Sequence, residues 1–178
     1  YIKEVLENRP SDWLGLTTHR LDIYNERRAK TEFLEEFEDL FKNNNSRTAA
    51  LSQLTTAYDY IRLGHPLSCI LEWGIAQLHG LKADNIISFS SKTIPILAVL
   101  RKNLFDHKKT QVLYTGDLPD YFDADLVQKV YGYSFELKQV KSADAIPEFN
   151  GSTVFISNPE GIERIELHPN IDFYISLH

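Results

Sequence analysis

Methionine is missing altogether from the 178 residues, and cysteine occurs once. A lone Cys69 has no internal disulfide partner, which points to a reducing, cytoplasmic setting. With no initiating methionine, Tyr1 is not expected to be the natural start. No charged-then-apolar leader of the secretory kind opens the chain, so it is expected to be an excerpt of a longer protein. No apolar run approaches the ~20 residues of a membrane helix, and no membrane partner is expected. Positive charge is short as well. With 19 Lys and Arg against 25 Asp and Glu, the net charge of -6 argues against a protein that tracks nucleic-acid phosphates. The sequence contains no G-x-S-x-G, P-loop or G-x-G-x-x-G motif. Its six histidines include no pair at i, i+3 or i, i+4 with a further ligand, so no zinc site is expected.

What is present is ordinary globular material, 43% hydrophobic and 25% charged, enough to bury one core. Residues 31–42 place Phe33, Phe37 and Phe41 with Leu34 and Leu40 at helical spacing, with acids on the other face. Thr31 ahead of Glu32 and Glu35 suits a helix start, and Asn43 to Ser46 a stop. A second helix is expected from about Thr48 to Ile61, broken by Gly64-His65-Pro66. A third spans 67–79 with Leu67, Ile70, Leu71, Ile75 and Leu78 on its buried side and Gly80 as its stop. Leu14 to Thr18 reads as a short extended piece.

From residue 85 onward the pattern alternates. Strands are expected at 85–89, 111–115, 133–140, 153–157 and 171–177, with helices at 94–104 and 121–131 between them. This is the signature of an α/β fold, a three-layer sheet with helices on both faces, preceded by a helical N-terminal segment. A single domain over 1–178 is the economical division, with residues 1–66 as the helical segment and 67–178 as the sheet-forming part. Cys69, in an apolar helix, reads as a small core residue. Asp117, Asp120, Asp123 and Asp125 are denser than usual; loop and helix-start acids explain them, with a cation as the alternative.

The chemistry concentrates in residues 58–100. Tyr60 and Arg62 put a phenol and a guanidinium near the Gly-His-Pro break. Further on, a strand is expected to run into Phe89-Ser90-Ser91-Lys92-Thr93 directly before a helix. Backbone N–H groups at a helix start, hydroxyls, and Arg and Tyr donors all suit an anionic phosphate.

In order and spacing this stretch resembles the pyridoxal-phosphate enzymes of cysteine and methionine metabolism, the trans-sulfuration group of fold type I. That family carries Y-x-R-x-x-N-P, then a helix of the form L-E-x-x-x-A-x-L-x-G, then a strand ending F-S-S-G-M before an A-x-x-A-V-L-like helix. Here the chain shows Tyr60-x-Arg62-x-x-His65-Pro66, then Leu71-Glu72 with Ala76, Leu78 and Gly80, then Phe89-Ser90-Ser91, and later Ala98-Val99-Leu100. The resemblance covers roughly residues 58–118.

The resemblance implies pyridoxal phosphate as cofactor and a small amino-acid substrate, with lyase or transferase chemistry. It also implies a homo-oligomer, because Tyr60 and Arg62 would reach the cofactor phosphate of a neighbouring subunit. Lys92 and Thr93 would lie at the phosphate turn with Ser90 and Ser91 flanking, and Tyr114 would stack on the pyridine ring. Asp172 is the candidate partner of the pyridine nitrogen. Departures stand beside these matches. Lys92 replaces the family's turn glycine and His65 its asparagine, the N-terminal half is helical and charged, and the Schiff-base lysine is expected beyond His178. Two other readings remain: a catalytically silent α/β interaction domain, and half of a phospholipase D-type phosphodiesterase or nuclease, whose His-x-Lys pair would begin at His178.

Overall fold

The phenylalanine stripe decides where the first core forms. The computed structural model describes residues 1–14, 28–55, 65–144, 146–162 and 165–177, and the chain divides into two units, Tyr1–Ser88 and Phe89–His178. In the first unit, helices α1 (Ile2–Glu7), α2 (Phe33–Lys42), α3 (Thr48–Leu51) and α4 (Pro66–His79) accompany 3-10 turns at Ser11–Leu14 and Ala83–Asn85. Phe33, Leu34 and Phe37 of α2 are buried with Val5, Trp13, Leu51, Leu54, Cys69, Ile70 and Trp73. Phe37 meets Trp73 edge-on at 5.3 Å and stacks near Phe33 at 6.1 Å. Phe41 lies at the rim, 43% exposed, with its ring against Tyr1 and Trp73. The expected helix start at Thr31 is corrected: a π-helical turn, Arg28–Glu32, already carries the chain into α2, so no capping side chain is needed there.

Helix α4 has the predicted ends. Pro66 sits in its first turn, His65 Nδ1 accepts the Leu67 N–H, and Gly80 takes the left-handed conformation. The Leu81 N–H reaches back to the Ala76 carbonyl and the Gly80 N–H to that of Gln77, the paired bonds of a Schellman stop. Its buried face differs from the expected one. Cys69, Ile70, Trp73 and Ala76 point inward, whereas Leu71 and Leu78 are 46% and 40% exposed. Both stripes of this helix are apolar, so periodicity alone could not choose. Trp73, the largest side chain, docks on Phe37 and Phe41 and turns the helix its own way.

Two further expectations change here. The helix expected over 48–61 is α-helical only for Thr48–Leu51 before a turn at 52–54, and its remainder from residue 56 lies outside the described residues. The strand expected at 85–89 is absent. Residues 86–89 are irregular, Ile87 is 69% exposed, and the Ser88 N–H bonds to the Glu72 carboxylate rather than to a neighbouring strand. Leu14 is described at the end of its 3-10 turn, but residues 15–18 of the expected extended piece lie outside the described residues.

The second unit is an α/β fold. Helix α5 (Ile94–Phe105) leads into strand β1 (Thr110–Tyr114), α6 (Ala124–Tyr131) into β2 (Glu136–Gln139), and β3 (Ser152–Ser157) and β4 (Phe173–Ser176) follow. All four strands are parallel, in the order β2-β1-β3-β4. The β-branched run of β3 is buried at every position, as a central parallel strand should be.

One face of the sheet, with Val112, Val154, Ile156 and Ile175, is covered by Ile96 and Leu100 of α5 and Val127 of α6. The other, with Leu113 and Phe155, is lined by Ile146, Val140, Ala143 and Ile171 from the connections. The β1-to-β2 connection thus crosses one face and the later connections the other. Connections of one hand running in opposite lateral directions must do this. Among the described residues no helix is long and apolar enough to cross a membrane.

Candidate functional site at the carboxyl edge of the sheet

Because β1 sends its chain toward β2 and β3 sends its chain toward β4, the connections diverge between two adjacent strands. In open parallel sheets such a divergence leaves a crevice outside the carboxyl ends of the strands, where ligands bind. Here that edge carries Tyr114, the last residue of β1, with Thr115 and Gly116 after it, and Ser157, the last of β3, with Asn158 and Pro159 after it. Gly116 has φ 67°, a turn conformation suited to glycine. Thr115 donates its N–H to the Ile156 carbonyl, holding the two strand ends together.

Helix α5 brings its N-terminus to the same edge. Its C-terminal half lies at the strands' amino ends: Asn103 Nδ2 donates to Thr110 Oγ1 at the start of β1, and Lys102 Nζ lies 5.9 Å from the ring centre of Phe173 at the start of β4. Twelve helical residues span about 18 Å, and five strand residues about 17 Å. An antiparallel helix of that length therefore begins where the strands end.

The helix start is built from hydroxyls. Ser91 Oγ accepts from the Thr93 and Ile94 N–H groups, both at 3.3 Å, and lies 3.2 Å from Thr93 Oγ1. These backbone bonds are at the long end of the range, so an anionic oxygen could take over the same donors. Pro95 in the first turn removes one further N–H. Ser90 and Lys92 are exposed. Tyr114 is half-buried, its ring packed against the Val112 cluster. The donor set of two hydroxyls, backbone N–H groups and a lysine fits a phosphate, and an aromatic ring shares the edge.

Of the residues named from the sequence, Ser90, Ser91, Lys92, Thr93 and Tyr114 thus share one edge. Asp172 lies at the opposite one. It immediately precedes β4, its carboxylate accepts the Thr153 N–H at 2.8 Å, and its own N–H donates to the Thr153 carbonyl. That is a strand-pairing role at the amino end of the sheet. Tyr60, Arg62 and His178 lie outside the described residues. Asp123 of the acidic run caps α6 by accepting the Leu126 N–H, and among the described residues no three metal-ligating side chains gather. Thr115, Gly116 and Ser157, which also lie at this edge, were not singled out from the sequence. A β-branched strand running into Asn-Pro, and a Thr-Gly following β1, are the signals that could have found them. No protein-family model, curated protein or solved structure matches the chain.

Proposed function

We propose that the chain is the phosphate-binding part of a pyridoxal-phosphate-dependent lyase or transferase acting on an amino acid, a sulfur-containing one by the resemblance of residues 58–118. Two observations support this reading: the hydroxyl-built start of α5, and the diverging carboxyl edge of a parallel sheet at which β1 ends on Tyr114. A dianionic phosphate and a flat ring need such neighbours.

In this reading Ser91 and Thr93 donate their hydroxyl protons to the phosphate, and the N–H groups of Thr93 and Ile94 turn from Ser91 Oγ to the anion. Lys92 adds a positive charge, and Tyr114 offers its ring face. Pyridoxal phosphate, when bound, supplies the aldehyde and the electron-accepting ring that the chain's own side chains lack. The tasks of this chain are then to hold the phosphate and to orient the ring. Tyr60 and Arg62 serve the same phosphate across a homo-oligomer in the cytoplasm. The three-layer sheet of that fold would place helices over the Leu113–Phe155 face, which the described connections line here.

The test is absorbance in the imine region after pyridoxal phosphate is added to the full-length protein. A new band, lost in the Ser91→Ala/Thr93→Ala double variant, is expected. No band and no affinity for the cofactor would reject the reading.

A further inference from the structure

The first unit contains a polar network that the proposed site does not use. Glu72 lies on the buried face of α4, 8% exposed, among Cys69, Trp73 and Ala76. Its Oε1 accepts both the N–H and the hydroxyl of Ser88, at 2.8 and 2.9 Å, and its Oε2 pairs with Lys30 Nζ at 2.9 Å. Lys30 belongs to the π-helical turn Arg28–Glu32, and its ammonium also donates to the carbonyls of Ala83 at 3.1 Å and Ile86 at 3.4 Å. All three ammonium protons therefore have acceptors, and both carboxylate oxygens have donors.

Three separate pieces of chain meet on this one ion pair: the π-helical turn, α4 and residues 83–88. Apolar packing holds the last of these weakly. Ala83 is only partly buried against the core, Ile87 is exposed, and the local backbone bonds are the short-range ones from Asn85 to Lys82 and from Ile86 to Ala83. A segment with few buried apolar contacts opens locally at a cost set by its polar bonds. Charge-assisted bonds of this kind are about twice as strong as neutral ones.

We propose that the Lys30–Glu72 pair is a latch for residues 83–88: with the pair intact the segment is shut against α4, and with the pair broken it opens while the helical core stays folded. Ser88, which the latch grips, is two residues ahead of Ser90 in the chain. The latch rests on geometry within Tyr1–Ser88 and is independent of the cofactor assignment.

The experiment is amide hydrogen exchange on the intact protein and on Lys30→Met, Lys30→Arg, Glu72→Gln and Ser88→Ala. The Asn85, Ile86 and Ser88 amides are expected to exchange about tenfold or more faster in Lys30→Met and Glu72→Gln, from the worth of charged hydrogen bonds. The α4 amides at Trp73 and Ala76 should keep their protection, and Lys30→Arg, which retains charge and donors, should retain the slow exchange. Ser88→Ala removes one bond and strands no charge, so it keeps the test decisive if a charge variant unfolds; a severalfold rise at Ser88 is expected there. Wild-type exchange at all three amides in Lys30→Met, Glu72→Gln and Ser88→Ala would overturn the latch. Loss of their protection only in step with Trp73 and Ala76 would overturn it too, because the network would then be part of general stability.

Discussion

Replacing Phe37 by alanine removes the ring on which the first unit's core converges. Phe37 is fully buried and lies within 6.1 Å, centroid to centroid, of Tyr1, Phe33 and Trp73, with Trp73 edge-on at 5.3 Å. Truncating a buried phenylalanine costs about 3–5 kcal/mol through lost transfer energy and the cavity left behind. The aromatic pairs add about 0.5–1.5 kcal/mol each where geometry is favourable. With a urea slope of about 2 kcal/mol/M, the unfolding midpoint should fall by about 2 M. Both of the chain's tryptophans, Trp13 and Trp73, are buried in this same core, so tryptophan fluorescence in a urea titration reads the affected unit directly. Phe37→Leu, which keeps most of the volume, should lose less than half as much. A Phe37→Ala midpoint within about 0.3 M of wild type, a shift equivalent to roughly 0.6 kcal/mol at that slope, would refute the placement of Phe37 at the centre of the core.

Two glycines should respond in opposite directions. Gly74 lies inside α4, where an added Cβ meets nothing within 4 Å, so Gly74→Ala should raise thermal stability by about 1 kcal/mol through helix propensity and a less flexible unfolded chain. Gly151 precedes β3, where a Cβ would overlap the Lys109 carbonyl and the Phe149 ring, so Gly151→Ala should lower the melting temperature; the reverse order of the two would contradict the packing described. Asp106, at the end of α5, has its carboxyl held below the ordinary range by the hydrogen bond from the Lys102 ammonium, with Lys108 and His107 adding positive charge. A carboxyl lowered on folding stabilises at neutral pH, and that contribution fades as pH falls below the unfolded value through the folded one. The melting-temperature gap between wild type and Asp106→Asn should therefore close between pH 7 and pH 2, and an equal gap at both would contradict it.

The elements legible in the sequence were those where one periodicity dominated. The acidic and phenylalanine faces of α2, and the β-branched run Thr153 to Ile156, left one arrangement each. Helix α4 carried two apolar stripes, and the docking of Trp73 settled what the pattern could not. Ile86 to Phe89 looked like a strand because its residues suit one. Glu72, sixteen positions earlier, takes the Ser88 N–H that a strand partner would have needed. Ser90 to Thr93 drew attention in the sequence because hydroxyls before a helix have a local chemical meaning, and Ser91 does bond the backbone at the start of α5. The place of Asp172 at the amino edge was not legible, because it follows from the parallel register of β3 and β4. That register pairs Val154 with Phe173 across the whole β3–β4 connection, which no local pattern encodes. The divergence of β1 and β3 is likewise a property of topology, with no local signature.

The most direct measurement on the cofactor proposal is thermal melting of the protein with pyridoxal phosphate, with pyridoxal lacking the phosphate, and with inorganic phosphate. A ligand held only by the folded state at a hundredfold excess over its Kd stabilises by about 2.7 kcal/mol, several degrees for a chain of this size. The phosphate-turn account predicts that shift for pyridoxal phosphate, a smaller one for inorganic phosphate, little for pyridoxal, and its loss in Ser91→Ala/Thr93→Ala. An unchanged melting temperature with pyridoxal phosphate, or an equal rise with pyridoxal, would contradict it.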